Sequence, residues 1–202
     1  SHCIHWVWQS DWSVETSYNI AWLQSVMDSH QLRAVCRADS KMNCLCIGTY
    51  PCDKLPEKQN GFILCNQDKH TKPGSHWVCI FLLPNNRAEF FNSSGGAPTT
   101  QEIFDYLDGW DVLCSQKQVQ SRIATTCGQH CIYFAFHRAR GVPFQHIIDS
   151  YSTDMDSNDQ MVCEFVSDNF DISTVPLDRD FLINQITKNQ PISDQEGTRH
   201  CL

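Results

Sequence analysis

One uninterrupted apolar segment constrains the fold of this chain more than any other feature. It runs from His76 to Leu83, follows a Gly-containing loop and ends at a Pro-Asn-Asn turn. A strand that is apolar at every position is typically buried on both faces, so it belongs at the centre of a covered sheet. The turn predicts a hairpin in which residues 87–91 return as the neighbouring strand.

The rest of the chain supplies further elements around this hairpin. Apolar segments bounded by turn residues predict two more strands, at 61–66 and 111–119. Apolar spacing and helix-start residues predict helices at 17–30, 100–108, 127–140, 143–150 and 156–169. Residues 31–43 are interpreted as a loop. We find no repeat and no linker, so we predict a single α+β domain with a central mixed sheet flanked by helices.

Composition limits the classes of function. Hydrophobic residues make up 41% and charged residues 19%, which is typical of a globular protein rather than a disordered one. The formal net charge of −8 argues against an extended nucleic-acid surface, because phosphate binding needs clustered Lys and Arg. Arg122, Arg138 and Arg140 form a candidate basic group, which we interpret as a solvated face. The sequence shows neither a membrane-spanning apolar segment nor a secretory signal pattern.

Twelve cysteines raise the question of zinc and disulfides. No Cys-x2-Cys pair occurs in the sequence, so the spacing of a zinc ribbon is missing and we predict no metal. We expect a reducing compartment and mostly free thiols, with Cys79 and Cys131 as buried apolar side chains. The alternative is a few bridges among Cys36, Cys44, Cys46 and Cys52.

Two residues have the chemistry and position of a nucleophile and its base. Cys127 opens a predicted helix, where backbone N–H groups and the helix dipole lower a thiol pKa, and Gly128 leaves the approach to the sulfur open. His76 begins the central strand, at an end where a cleft forms. Taken singly, a buried structural Cys and a partly exposed His are the commoner explanations. His130 is the chief alternative base, but it projects from the helix rather than across a cleft.

Two amide side chains complete the set. Asn92 ends the strand that returns from the hairpin, so it lies near His76, and its oxygen can accept the imidazole N–H and fix the tautomer. Gln120 precedes Cys127 by seven residues, and its side-chain N–H can bind an oxyanion together with the Cys127 backbone N–H. The alternatives are a turn Asn and an exposed loop Gln.

The order of these residues resembles that of the adenain-like and SUMO-protease-like cysteine proteases. The family pattern is carried by His76-Trp77, Asn92, Gln120 and Cys127-Gly128. The closer resemblance is to the adenain-like maturation proteases of adenoviruses, and it is carried by Gly48-Thr49-Tyr50, Gly74 to Trp77, Phe91 to Gly95 and the Gln-to-Cys gap. We therefore divide the single domain (1–202) into an N-terminal extension and helix (1–40), a catalytic core (44–140) and C-terminal helices with a tail (141–202).

The resemblance implies a hydrolase, a thiol endopeptidase that processes viral capsid and core precursors during virion maturation and cleaves at small residues such as Gly. Cys127 would attack, His76 would move the proton, Asn92 would orient His76 and Gln120 would bind the oxyanion. It also implies protein substrates, no membrane, and a location in the virion and in the nucleus or cytoplasm of the host cell.

Cofactors and origin follow from the same resemblance. It implies an activating peptide, and Cys114 is the nearest counterpart of the cysteine that pairs with that peptide. The acidic charge argues against activation by DNA, and other nucleic-acid binding stays open. Asn92 stands where the family has Glu or Asp, so we expect a virus or virus-like mobile element other than a standard mammalian adenovirus.

Two other functions stay open at this point. The same fold would suit a deconjugating protease for ubiquitin-like proteins. A function of a different class is a non-catalytic, capsid-associated binding module in which Asn92 marks lost activity. The complete set of Cys127, His76 and Gln120 argues against that module.

Overall fold

The computed structural model describes residues 26–172, so residues 17–25 of the predicted helix at 17–30 lie outside this range. Within it, five strands form one sheet in the order β1-β2-β3-β4-β5. The outer two pairs are parallel and the inner two antiparallel, so the predicted mixed sheet is confirmed, with β3 at its centre. The strands are β1 (Cys46–Pro51), β2 (Gly61–Asn66), β3 (Trp77–Leu83), β4 (Arg87–Phe91) and β5 (Asp111–Cys114).

Helices flank the sheet. Asp28, Asp39 and Asp154 each cap a helix by accepting a backbone N–H with the side chain. No helix between residues 26 and 172 combines the length and the apolar character needed to cross a membrane. The helices of this segment are α1 (Ser29–Ala38), α2 (Ser40–Leu45), α3 (Gln101–Tyr106), α4 (Cys127–Ala139), α5 (Phe144–Ser150) and α6 (Met155–Asn169).

β3 is buried on both faces, as its sequence predicts. Its side chains alternate between two apolar clusters on opposite faces of the sheet. Cys79 and Phe81 belong to the cluster that includes α4, whereas Ile80 and Leu82 belong to the cluster that includes Ile103 of α3. The sheet is therefore the middle layer between helices, and α4 lies on the face that carries the larger cluster.

The β3–β4 hairpin forms where the sequence predicts it. Asn85 and Asn86 have φ values of 62° and 54°, the left-handed conformation that a tight hairpin turn requires and that Asn tolerates well. The predicted strand at 111–119 is too long. β5 ends at Cys114 because its pairing with β4 covers four residues only.

The prediction of a loop over 31–43 is wrong, because α1 and α2 occupy this segment. The Asp28 carboxylate accepts the Gln31 backbone N–H at 2.8 Å, and the Gln31 side chain accepts the Asp28 N–H at 3.1 Å. This reciprocal capping box starts α1. Leu32 and Val35 then follow at helical spacing and are buried in the larger cluster.

The interpretation of three arginines as a solvated face is wrong for two of them. Arg138 binds both oxygens of the buried Glu89 on β4, at 2.7 and 3.0 Å. Arg140 pairs with Asp39 at the start of α2. Arg122 is exposed. Two of the three guanidinium groups therefore tie α4 to neighbouring elements.

The ten cysteines of the described segment are free thiols. Cys79 and Cys131 are fully buried in the larger cluster, as predicted. Burial raises the pKa of both thiols well above the ordinary value, because a buried thiolate would lose its hydration. Both side chains therefore act as apolar core groups.

Candidate active site

His76 and Asn92 meet where two antiparallel strands end at one edge of the sheet. His76 directly precedes β3 and Asn92 directly follows β4. The hairpin register places His76 Nε2 2.8 Å from Asn92 Oδ1. Because an amide oxygen only accepts, Nε2 carries the proton and Nδ1 is left as the accepting nitrogen. The contact predicted from the sequence is present, and it selects one tautomer of His76.

The orientation of the Asn92 amide is fixed by its other contacts. Oδ1 also accepts the Ser94 backbone N–H at 3.0 Å, and Nδ2 donates to the Gly95 carbonyl at 2.9 Å. A flipped amide would place donor against donor and acceptor against acceptor. Asn92 is therefore a turn residue and a partner of His76 at the same time.

Cys127 is the first residue of α4, as predicted, and its side chain is 5% exposed. Burial raises the pKa of its thiol, while hydrogen bonds from the backbone N–H groups of Trp77, Gly128 and Cys127 itself lower it. Burial outweighs the N–H groups, so the pKa lies above its ordinary value. The expectation of a lowered thiol pKa is wrong, because it counted the helix terminus and not the desolvation.

The contact with Trp77 also places the thiol. Trp77 directly follows His76, so the sulfur lies beside the strand end that carries the imidazole. Burial lowers the pKa of His76; the Asn92 bond raises it and His130 lowers it further, for a net decrease. A raised thiol pKa and a lowered imidazole pKa both favour a neutral Cys127 and a neutral His76 near pH 7. This state suits an imidazole that removes the thiol proton during attack.

Gly128 has a packing role and not the predicted role of leaving the approach to the Cys127 sulfur open. It is buried, and a Cβ at this position would lie 2.9 Å from Met27 Cβ and 3.4 Å from Leu32 Cδ2. Trp77 Nε1 donates to the Met27 carbonyl at 3.0 Å on the same side. The missing side chain therefore lets the first turn of α4 pack against the start of α1.

Gln120 is buried and not an exposed loop residue. Its Oε1 accepts the Ser93 hydroxyl at 2.6 Å, and its Nε2 donates to the Ala124 carbonyl at 2.8 Å. The Ser93 carbonyl also accepts the Gln120 backbone N–H at 3.1 Å. The side-chain nitrogen therefore faces the loop that leads to Cys127, and Ser93 holds the amide oxygen.

The sequence prediction missed Ser93 and Asp159. Ser93 adjoins Asn92, so one short segment holds both His76 and Gln120. Asp159 on α6 accepts hydrogen bonds from Ser121 in the same loop. Their separation of 38 residues leaves no local pattern that would join them. A strand end with two consecutive polar residues is the one signal that would have indicated Ser93.

His130, the alternative base, lies elsewhere in the network. Its side chain is fully buried, with Nε2 2.8 Å from Asp159 Oδ1 and Nδ1 3.3 Å from the Tyr151 hydroxyl. Both ring nitrogens therefore have partners other than Cys127. Between residues 26 and 172, no group of three or more His, Cys, Asp or Glu side chains is placed to hold a metal ion.

Comparison with known proteins gives two curated relatives, while no protein-family model matches the chain. This chain is 26% identical over 111 residues to a putative thiol protease of Acanthamoeba polyphaga mimivirus. The alignment covers 48% of this chain and 37% of the relative. The chain is also 28% identical over 114 residues to a cysteine protease of African swine fever virus. That alignment covers 50% of this chain and 41% of the relative. The match thus spans about two fifths of each relative.

Solved structures also align with the chain. A crystal structure of the African swine fever virus protease aligns with 50% of this chain and 43% of its own at 22% identity, with a TM-score of 0.35. The two sequence relatives make the chain similar to viral cysteine proteases. They do not single out the adenain-like family among these proteases.

Proposed function

We propose that this chain is a viral cysteine endopeptidase. The observation that carries the proposal is the contact between His76 Nε2 and Asn92 Oδ1, beside a thiol that the Trp77 backbone N–H contacts. It supplies a nucleophile, a base with a free accepting nitrogen, and a group that fixes the base. The similarity to two viral proteases supports the same chemistry.

The reaction proceeds in two halves. His76 Nδ1 removes the Cys127 proton as the sulfur attacks the scissile carbonyl carbon, and the carbonyl oxygen becomes an oxyanion. The oxyanion collapses, the amine leaves with the proton from His76, and a thioester remains on Cys127. Water then attacks the thioester with His76 again as base, and releases the acid and the thiol. Gln120 Nε2 and the Cys127 backbone N–H stabilise the oxyanion in each half.

The proposed substrates are viral capsid and core precursors, cut at small residues such as Gly during virion maturation. A cavity of about 360 Å³ lies beside the site and is lined by Trp77, Gly74 and Tyr50 among others. This volume is in the range of ligand pockets. Asp28 and Arg33 give its wall both signs of charge. An activating peptide, activity without DNA, and action inside the virion and host cell belong to the same proposal.

Cleavage of a peptide library, read by mass spectrometry of the new termini, tests the activity. Cys127→Ala should lower the cleavage rate by about 10³-fold or more, because it removes the nucleophile. Cys131→Ala is the matched control, since it removes a thiol from the same helix one turn away, and it should keep most of the activity. Cleavage by Cys127→Ala at more than a trace would refute the assignment.

The same assay separates the substrate classes. Cuts after small residues within capsid and core precursors support the maturation protease. Release of a ubiquitin-like protein from a conjugate, without cleavage of the precursors, would establish the deconjugating alternative. Adding DNA or virion peptides to parallel reactions tests the proposed activators directly.

A further inference from the structure

One short loop separates the two proposed oxyanion donors. Residues 121–126 connect Gln120, which carries the side-chain donor, to Cys127, which carries the backbone donor. The middle of the loop is open to solvent, with Ile123 93% exposed. The distance between the two donors therefore depends on how the two ends of the loop are held.

A single carboxylate from a distant element holds both ends. Asp159 Oδ2 accepts the Ser121 backbone N–H at 3.0 Å, and Asp159 Oδ1 accepts the Thr126 hydroxyl. Asp159 lies on α6 and is buried. His130 Nε2 donates to Oδ1 as well, at 2.8 Å. Three donors, from the two ends of the loop and from α4, thus converge on one carboxylate.

This arrangement uses both oxygens of the carboxylate as acceptors. Both oxygens of Asp159 accept, whereas an amide keeps one acceptor oxygen, so Asn at this position would force Thr126 and His130 to reverse their hydrogen bonds. The Thr126 hydroxyl makes no capping bond to α4, so its contact with Asp159 serves the loop and not the helix start. A buried polar network with its groups satisfied is rigid, and this rigidity reaches both ends of the loop.

The residue next to Asp159 extends the same contact. Asn158 Nδ2 donates to the Val119 carbonyl at 3.1 Å, and Asn158 Oδ1 accepts the Ser152 backbone N–H at 2.9 Å. Val119 directly precedes Gln120. α6 therefore contacts the chain immediately before and immediately after Gln120.

We propose that Asp159 is a positioning residue that sets the spacing between the Gln120 side chain and the Cys127 backbone N–H, so that both reach the same oxyanion. It acts through Ser121 and Thr126 and does not touch the substrate. This inference rests on the proposed function as a cysteine endopeptidase. It makes α6 part of the catalytic unit, although α6 lies beyond the segment 44–140 that resembles known proteases.

Thr126→Val and Thr126→Ser form a matched pair for the test. Valine keeps the shape of threonine and removes the hydroxyl, whereas serine keeps the hydroxyl. We expect Thr126→Val to lower kcat about 10-fold or more with little change in KM, the pattern of a lost transition-state contact. Thr126→Ser should retain kcat within about threefold of the wild type. Equal kcat in the two variants would overturn the proposal.

Two active-site reagents separate positioning from general stability. Iodoacetamide alkylates Cys127 without needing an oxyanion site, whereas a peptide aldehyde adds the thiol across its carbonyl and places the new oxygen where the oxyanion forms. In Thr126→Val and Asp159→Asn, aldehyde affinity should fall in parallel with kcat/KM, and alkylation should stay within about twofold of the wild type. Alkylation that falls with kcat, or unchanged aldehyde affinity, would contradict the positioning role.

Different outcomes would refute the proposed protease function and the proposed role of Asp159. If Cys127→Ala keeps cleaving peptides, the proposed function is wrong. If Cys127→Ala is inactive while Thr126→Val matches the wild type in kcat and in aldehyde affinity, only the role of Asp159 is wrong. Should Asp159→Asn fail to fold, Thr126→Val alone decides, since it leaves the carboxylate and its bonds to Ser121 and His130 in place.

Discussion

The adenain-like pattern would place an acid at position 92, and the contacts of Asn92 explain why an amide fits there. Its oxygen accepts from His76 and Ser94, and its nitrogen donates to the Gly95 carbonyl. A carboxylate would place an oxygen against that carbonyl. The amide orients His76 without adding charge, so it is compatible with catalysis and does not by itself mark lost activity.

Asn92→Asp should therefore change two properties, the pKa of His76 and the stability of the fold. The carboxylate should raise the pKa of His76 and lower the pH midpoint of Cys127 alkylation, because it stabilises the imidazolium. It should also lower the free energy of unfolding by about 1–3 kcal/mol, because Gly95 loses its donor. Iodoacetamide rates against pH and urea denaturation measure the two effects. Asn92→Ala adds no charge and should not lower the midpoint; an unchanged midpoint in Asn92→Asp would disprove the charge argument.

The acidic limb of the pH–rate profile reports on His76 itself. His76 works as a base only when neutral, and burial lowers its pKa. Activity should therefore be lost only below about pH 6.5, the ordinary range of imidazole. Alkylation of Cys127 without substrate should have its midpoint at higher pH than a short cysteine peptide, because burial raises the thiol pKa. Both curves come from one enzyme preparation. A midpoint below that of the peptide would mean a preformed ion pair instead.

For individual residues, the sequence predicts the contact that the β3–β4 hairpin creates. His76 and Asn92 lie at neighbouring strand ends, so their contact follows from the turn between them. Gln120 and Asp159 depend on long-range packing, and no local pattern gives their partners. The direction of the Cys127 pKa was wrong for a related reason, because the depth of burial depends on elements far away in the sequence.

Among the elements, the start of α4 carries the tightest packing near the site. Gly128→Ala would add a Cβ 2.9 Å from Met27 Cβ, closer than real Cβ contacts. Alanine gains about 1 kcal/mol of helix propensity over glycine, but the contact should cost more. We therefore expect a net loss of stability and of kcat. Urea denaturation and steady-state kinetics measure both.

A double-mutant cycle provides the control for this prediction. Met27→Gly removes the opposing Cβ, so the combination with Gly128→Ala should cost less than the sum of the single changes. Additive costs would show that the two positions do not press on each other. A Gly128→Ala variant more stable than the wild type would mean that helix propensity outweighs the contact.

The elements differ in how far their own sequence specifies them. β3 and β4 were predicted because apolar segments flank a turn of left-handed Asn residues. α1 and α2 were missed although Asp28 and Gln31 form a capping box, because the buried apolar face of α1 is short and consists of Leu32, Val35 and Cys36. The end of β5 depends on the length of its pairing with β4, which the sequence of β5 alone does not contain.

For the molecule as a whole, buried imidazoles contribute to the loss of stability at acidic pH. Burial lowers the pKa of His76, His130 and His137. In the unfolded chain these groups take up protons near pH 6.5, while the folded protein keeps them neutral to lower pH. Their contribution to the free energy of unfolding is therefore present above about pH 6.5 and is lost as the pH falls through the folded pKa values.

Buried thiols set the alkaline limit. Burial raises the thiol pKa values of Cys65, Cys79, Cys131 and Cys163. At Cys36 the larger cause of the raised pKa is the hydrogen bond that its thiol donates to Cys46, and burial adds to it. The unfolded thiols ionise near pH 8.5, while the folded ones stay protonated. Unfolding then releases protons, so the contribution of these thiols is full below about pH 8.5 and falls as the pH rises.

Urea denaturation in reducing buffer at pH 7.5, 9 and 10 should show this decline. Each such thiol contributes about 1.4 kcal/mol per pH unit above its unfolded pKa. Cys46 offsets part of the sum, because its bond with Cys36 lowers its own pKa. Cys131→Ala should reduce the slope by about one thiol's share, whereas Cys44→Ala, at an exposed position, should leave it unchanged. A free energy of unfolding that stays constant from pH 7.5 to 10 would mean that these thiols ionise in place, and that the core around α4 admits water.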